Sequence, residues 1–364
     1  MGRLHDLAAC GQAIWFDFIQ RSLISSGELQ RLIDEGVRGV TSNPTIFEKA
    51  ITASSDYDLS LKHLARQGMT IEQIYEGLVL HDISLTADLF LPVYVDTKGL
   101  DGYVSIEVDP RLAYDTDRTV SEARRLWKQL NKSNVMIKVP ATDPGIPAME
   151  TLISEGINVN ATLLFSVSQY EKAAEAYLQG LEKRILAGGD VRSVASVASF
   201  FVSRIDTAVD LQLAGSDSED LLGKAAIASA KVAYEHFSRI FAGPRWERIA
   251  AHGARVQRLL WASTGTKNPR YPDTLYVDRL IGPHTVNTLP PATLGAFMDH
   301  GHVSPSLECG LAEAKDQLHR LSLLGIDLEA LTRKLEDDGV RSFASSFASL
   351  MESIEKKRTE VMPS

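Results

Sequence analysis

"NVMIKVPATDPGIPAMETLISEGINVNATLLFS", residues 134 to 166, holds two short apolar runs, 134 to 138 and 157 to 162, around a stretch, 146 to 155, whose apolar residues recur three or four apart. The runs read as strands and the middle as a helix, with Gly156 punctuating the return to the second strand. Two strands joined through a helix make a parallel βαβ unit. The same alternation continues outward on both sides. Further strand-like runs fall at 13 to 17, 38 to 43, 103 to 107, 194 to 199, 257 to 263 and 284 to 287. Helical patterns lie at 26 to 35, 70 to 90, 118 to 130, 168 to 187 and 219 to 241. Eight strands alternating with helices predict an α/β fold, a closed (β/α)8 barrel of the TIM type.

Thr70 with Gln73 and Ser166 with Gln169 have the spacing of capping boxes and mark two helix starts. The long gaps between strands two and three and between six and seven predict inserted helices. Residues 305 to 358 predict C-terminal helices, with Leu328, Leu331 and Leu335 on one face. No stretch between 10 and 300 has linker composition and no repeat of 20 to 50 residues is present, so one domain over 1 to 364 is expected.

Composition narrows the function classes. Hydrophobic residues make up 44% and charged residues 23% of the 364, which is ordinary for a folded globular chain. A formal charge of −9 argues against a nucleic-acid surface or an anionic membrane as partner. No unbroken apolar run approaches the roughly 18 residues of a membrane span, and the N-terminus lacks the pattern of a secretory signal. With only Cys10 and Cys309, far apart, neither a disulfide scaffold nor a thiolate metal site is expected, and the cytoplasm is the expected compartment. Asn131 and Asn160 each begin a glycosylation-like triplet, read as chance for want of a secretory route.

The strands carry polar groups at their expected ends: Asp17, Asn43, Glu107, Lys138, Asn160 with Thr162, Ser199, Ser263 and Asn287. In an eight-stranded barrel those ends converge on one face, where such barrels hold their sites. Lys138 stands among Val135, Met136, Ile137 and Val139. Its bland reading is a lysine with a packed stem and a wet head. Its chemical reading is a neutral amine that attacks a carbonyl and forms a Schiff base, which needs desolvation or a nearby cation to lower an ordinary value of about 10.4. Such chemistry also needs a proton acceptor and an acid. Asp17, among Trp15, Phe16 and Phe18, and Glu107, between Ile106 and Val108, fit those tasks; each also reads as an ion-pair partner of Lys138 or a loop-capping carboxylate.

Together with "WFDFIQR", "GVTSNPTIFEKAI", "VSIEVDP", "ASFFVSRID" and "WASTGTKNP", in that order, the opening stretch resembles the transaldolase family over residues 10 to 345. The resemblance implies a class I Schiff-base enzyme of the pentose phosphate pathway on a TIM barrel. It would transfer a dihydroxyacetone unit from sedoheptulose 7-phosphate to glyceraldehyde 3-phosphate, giving erythrose 4-phosphate and fructose 6-phosphate, without cofactor or metal. By the same resemblance, Lys138 would form the Schiff base, Asp17 would act as acid and base on the C4 hydroxyl, and Glu107 with Thr162 would place a water. Asn43 and Asn160, with Thr41 and Ser199 nearby, would hold the dihydroxyacetone part.

Arg204 matches the family's phosphate-binding arginine, its bland alternative being an ion pair with Asp206 or Asp210. Lys267, the amides around Gly265 and Ser263 are candidates for the rest of that clamp, although a solvated Lys267 is the plainer reading. Ser199 precedes Phe200 where some relatives have proline, which alters the aim expected of its hydroxyl. The expected partners are therefore sugar phosphates, and the sequence leaves monomer and homodimer both open.

No Walker loop, Gly-x-Gly-x-x-Gly after a strand, Gly-x-Ser-x-Gly or His-Glu-x-x-His is present. The nine histidines do not cluster, and His81 and His284 are expected to be buried and hydrogen-bonded. Met136 and Met149 read as core filler. Two rivals stand beside transfer: an aldolase that uses the same lysine but releases its donor fragment, and a barrel that only binds sugar phosphates.

Overall fold

The computed structural model describes residues 2–361. Eight parallel strands close into a barrel in chain order: β1 (Gln12–Phe16), β2 (Val37–Thr41), β3 (Tyr103–Glu107), β4 (Val135–Pro140), β5 (Val159–Leu164), β6 (Ser196–Phe201), β7 (Arg258–Ala262) and β8 (Thr285–Leu289). β8 pairs with β1, Gln12 standing opposite Thr285 and Phe16 opposite Leu289, so no edge is left unpaired. All eight expected strands are present. Every residue of β1, β3, β4, β5, β6, β7 and β8 is buried, because one face fills the barrel and the other meets helices. Met136 and Met149 are core residues, as expected.

The strand ends differ from expectation in an informative way. Lys138 was expected to end its strand, but β4 runs on to Pro140 and β5 on to Leu164. Proline closes a strand without harm when its missing N–H falls at the end of a ladder. Lys138, Asn160 and Ser199 therefore sit within the barrel rather than on its rim. In register, Glu107 stands opposite Lys138 and Lys138 opposite Asn160, so three polar groups occupy one level of three adjacent strands.

The helices show larger departures. The helix expected at 26 to 35 forms as Glu28–Glu35, and a separate short helix, Arg21–Ser25, precedes it across Gly27, whose φ of 84° suits only glycine well. The helix expected to stop at 90 continues through Pro92 to Asp96. Tyr94, packed edge-on to Tyr103 at 5.4 Å, holds that last turn on the barrel. This helix, Ile71–Asp96, is the one among the described residues that length and composition would let cross a membrane. Here it buries Ile74, Leu78, Ile83, Ala87 and Phe90 on the barrel, and His81, Asp82, Ser84 and Thr86 interrupt its apolar sequence. The segment expected helical from 219 is a short 3-10 turn, Glu219–Leu221, followed by the helix Ala225–Ile240. Both capping boxes are formed, at Thr70 and at Ser166. His81 and His284 are exposed, contrary to expectation.

The C-terminal helix, Leu328–Val361, is a single element of 34 residues that follows the helix Leu311–Leu323. It buries Leu331, Val340, Phe343, Phe347, Leu350 and Ile354, and packs across the helix Pro44–Ala53 and onto β5. Leu328 and Leu335 pack beside Leu331 as the sequence pattern required. The helix approaches the barrel closely at Gly339, where a Cβ would lie 2.9 Å from Leu163 Cδ2.

Candidate active site

Loops that follow the strands surround a cavity of about 430 Å³ at the C-terminal end of the barrel. Asp17, Thr41, Asn43, Lys138, Thr162, Ser199, Arg204, Ser263 and Lys267 all line it, so most of the candidates meet in one place. Asn160 and Glu107 do not line it. Asn160 lies beneath, fully buried, donating from Nδ2 to Ser105 Oγ at 3.1 Å and accepting from Ser199 Oγ at 2.6 Å. A larger depression, about 600 Å³, lies around Lys231 and Arg279 and contains none of the strand-end groups.

Lys138 is only 4% exposed. Its Nζ donates to Ser42 O at 2.9 Å, lies 3.3 Å from Glu107 Oε2, and stands 5.9 Å from the centre of the Phe343 ring. The ion pair with Glu107 that the bland reading foresaw is thus real. Apart from that contact, both buried Glu107 oxygens lack a hydrogen-bond partner among the described residues, as does Thr162 Oγ1. Burial pushes the Glu107 carboxyl up from its ordinary value, with Lys138 opposing.

Asp17 Oδ1 accepts from Thr41 Oγ1 at 2.6 Å, and Thr41 Oγ1 is 2.6 Å from Thr288 Oγ1. Burial raises the Asp17 carboxyl as well, against the pull of the Thr41 hydrogen bond, Lys138 and Lys267. Two carboxyls with a strengthened hold on their protons thus flank one amine. That combination suits proton donation and return at a reacting carbon.

Asn43 has a second task. It caps the helix Pro44–Ala53, its Oδ1 accepting from Ile46 N at 3.0 Å, which orients the amide N–H groups for a ligand. The signal was present in the sequence as Asn followed by Pro at the first helical position. Thr162 and Ser263 owe their placement to backbone irregularity. Leu163, at φ 62°, and Ser263, at φ 55°, take left-handed conformations that non-glycine residues seldom adopt. At Leu163 the β5–β6 register shifts, turning the strand just past Thr162.

Arg204 makes no ion pair among the described residues. Its suggested partners are otherwise engaged: Asp206 accepts from Ala226 N and Tyr276 Oη, Asp210 from Gly223 N and Tyr271 Oη. The guanidinium lies 5.5 Å over the Phe201 ring, and burial lowers its hold on the proton, with Asp338 opposing. Lys267 and Lys49 also line the cavity without a carboxylate partner among the described residues. Four cations against the single carboxylate of Asp17 give the cavity a positive character inside an acidic molecule. Sequence reasoning missed Lys49, Thr288 and Phe343. Of these, Thr288 had a findable signal, standing one residue beyond Asn287 in β8. No cluster of histidine, cysteine and carboxylates able to hold a metal occurs among the described residues.

The chain matches the model of the family described as transaldolase/fructose-6-phosphate aldolase over residues 14–354. It is 49% identical over 353 residues to a transaldolase of Thiobacillus denitrificans, covering 96% of this chain and 98% of that one. To transaldolase 2 of a Nostoc species it is 47% identical, covering 98% of each chain. A transaldolase of Neisseria gonorrhoeae is 48% identical, covering 96% of this chain and 98% of its own.

Proposed function

The chain belongs to the transaldolase/fructose-6-phosphate aldolase family, and from that premise we propose that it is a transaldolase that carries a dihydroxyacetone unit on Lys138 from sedoheptulose 7-phosphate to glyceraldehyde 3-phosphate. The observation that carries the reading is the burial of the Lys138 amine between Glu107 and a cavity rich in unpaired cations. Lys138 Nζ adds to the ketone carbon C2, and the ketone oxygen leaves as water with protons from the amine and from an acid. Glu107, adjacent and raised in its proton affinity, supplies the acid, and the Thr162 hydroxyl, which lines the sugar cavity without a hydrogen-bond partner among the described residues, holds the water. Asp17 then accepts the C4 hydroxyl proton while the C3–C4 bond breaks. The electron pair moves into the iminium, leaving an enamine on Lys138 and a free aldose.

Asn43 donates to the retained hydroxyls, and Ser199 and Asn160 fix the floor beneath them. Arg204, with Ser263 and Lys267 just past the neighbouring strand β7, receives the phosphate, where a guanidinium's paired donors match phosphate oxygens. The acceptor aldehyde reverses the sequence and the ketose leaves by hydrolysis. The enzyme works in the cytoplasm on sugar phosphates.

The test is reduction with borohydride in the presence of fructose 6-phosphate, followed by peptide mass. We expect one dihydroxyacetone-derived or ketose-derived adduct, on Lys138; an adduct elsewhere, or none, overturns the proposal. Assays of fructose 6-phosphate with and without erythrose 4-phosphate separate transfer from release of the donor fragment. Sedoheptulose 7-phosphate forming with the acceptor, and no free dihydroxyacetone without it, supports transfer.

A further inference from the structure

Glu107, the acid assigned to Schiff-base formation, does not face the cavity that takes the sugar. It lines instead a separate cavity of about 170 Å³ between the helices Ile71–Asp96 and Thr116–Leu130 and the C-terminal helix, and also a narrow void of about 10 Å³. Tyr75 lines both. The narrow void matches the space of about one water, and the larger one holds several. The Glu107 side chain is 2% exposed, and beyond the contact of Oε2 with Lys138 Nζ at 3.3 Å neither oxygen has a hydrogen-bond partner among the described residues, so a buried acid with an unpaired oxygen sits at the inner end of a polar passage. Such an atom binds water strongly.

One turn of the C-terminal helix separates the two spaces. Phe343 lines the sugar cavity and Phe347, four residues on, lines the rear one. The Phe347 ring is held edge-on to Tyr75 at 5.2 Å and beneath the Arg111 guanidinium at 4.8 Å.

Charge sorts what can enter each. The rear passage carries Glu72, Glu76, Asp109 and Glu122 against Arg111 and Arg125. Both arginines are already paired, Arg125 with Glu76 at 2.6 Å and Glu122 at 2.8 Å, Arg111 with Asp109 at 2.6 Å. A sugar phosphate is repelled there and attracted by Arg204, Lys49 and Lys267 at the front. Water is indifferent to both.

The chemistry demands such a division. When Lys138 Nζ bonds to C2, one amine proton passes to the former ketone oxygen. A second comes from the Glu107 carboxylic acid, the C–O bond breaks, and one water departs from an iminium beside a Glu107 carboxylate. At that moment the sugar fills the front cavity and its phosphate closes the outer end. We propose that this water leaves, and the hydrolytic water returns, through the rear passage past Glu107, with Tyr75 and Phe347 setting its width. The inference rests on the Schiff-base reading above. Tyr75 and Phe347 act as positioning residues that meter water and touch no substrate.

The experiment gives the full-length enzyme fructose 6-phosphate labelled with 18O at C2 and no acceptor. It compares adduct formation, by borohydride quench, with loss of label from recovered sugar above the enzyme-free rate. Leu80→Trp places an indole in the rear cavity from its partly exposed wall. We expect label loss to slow by about fivefold or more while adduct formation and KM stay unchanged, because expelled water is trapped and returns to the same iminium. Phe347→Ala widens the passage, and release of free dihydroxyacetone without acceptor should rise severalfold. Label loss unchanged in Leu80→Trp, adduct and label loss falling together, or release unchanged in Phe347→Ala each overturns the passage. Failure of the unaltered enzyme to form any adduct overturns the Schiff-base reading instead.

Discussion

Lys138 has a backbone carbonyl, a carboxyl and an aromatic ring around its amine, and opens only onto the sugar cavity. Removing one member of a buried ion pair commonly destabilises by about 3–5 kcal/mol, because the other charge is left alone. Glu107 escapes that penalty by keeping a proton, toward which burial already drives it. Lys138→Ala is therefore expected to fold with a melting temperature near that of the unaltered chain and to lose borohydride trapping entirely; normal turnover would exclude the lysine. Asp17→Ala leaves the amine in place, so the donor adduct should still form and be trapped. Its cleavage should slow by about 100-fold or more, the usual weight of a positioned base, as read in single-turnover release of the aldose. Arg204, desolvated and unpaired, is poised for an anion. Charge-assisted hydrogen bonds contribute about 1.5–3 kcal/mol, so Arg204→Ala should raise KM for fructose 6-phosphate by about 10- to 100-fold. The same change should scarcely affect turnover of unphosphorylated fructose, and equal losses on both sugars would refute the assignment.

Strands were the legible elements, since a run such as Val135–Ile137 or Val194–Ala198 has few other uses in a chain of long helices. Lys138, Glu107 and Asp17 were legible for the same reason, as charges embedded in apolar runs. What stayed hidden depends on distance in sequence. Phe343 and Phe347 look like any apolar stripe on a helix, and nothing local says that one roofs Lys138 while the other closes a second cavity. The depth of Lys138 was hidden because the expected strand ends at the charge, whereas β4 runs two residues further, to Pro140.

Docking of the C-terminal helix also shows how a local signal serves a remote contact. Gln169, whose Oε1 completes the capping box at Ser166, donates from its other end to Glu336. Burial first, then Asp337 and Asp143, raise the Glu336 carboxyl from 4.5 to about 7, with Lys172 opposing. The folded state thus holds a proton that the unfolded chain releases near 4.5. This contribution is complete below about pH 4.5 and is lost as pH rises toward about 7. Because the carboxyl is partly in water, we expect about 1 kcal/mol rather than the full shift. Glu336→Gln should raise the melting temperature at pH 8 and flatten its change between pH 5 and pH 8; an unaltered slope in a thermal denaturation series would refute the assignment.

At the scale of the molecule, the barrel and its C-terminal helix divide the work between them. All eight strands, and with them every candidate catalytic group, precede residue 290, so a chain ending at residue 326 keeps the closed hydrogen-bonded cylinder. What it loses is the roof: Phe343 over Lys138, Phe347 over the rear passage, and the buried Leu331, Val340, Leu350 and Ile354. Each large apolar side chain withdrawn from water contributes about 1.5–3 kcal/mol, offset in part by the order that 34 helical residues no longer need to adopt. The truncated chain should therefore retain its β signal in circular dichroism while melting at least about 5 °C lower. Its chemistry should change more than its fold, because the enamine on Lys138 survives between half-reactions only while water is rationed. Fructose 6-phosphate without acceptor should then yield free dihydroxyacetone at a rate approaching that of transfer, turning a transferase into a donor-releasing aldolase. A truncated chain that still transfers without release would show that the barrel alone excludes water, and that the C-terminal helix contributes stability and nothing else.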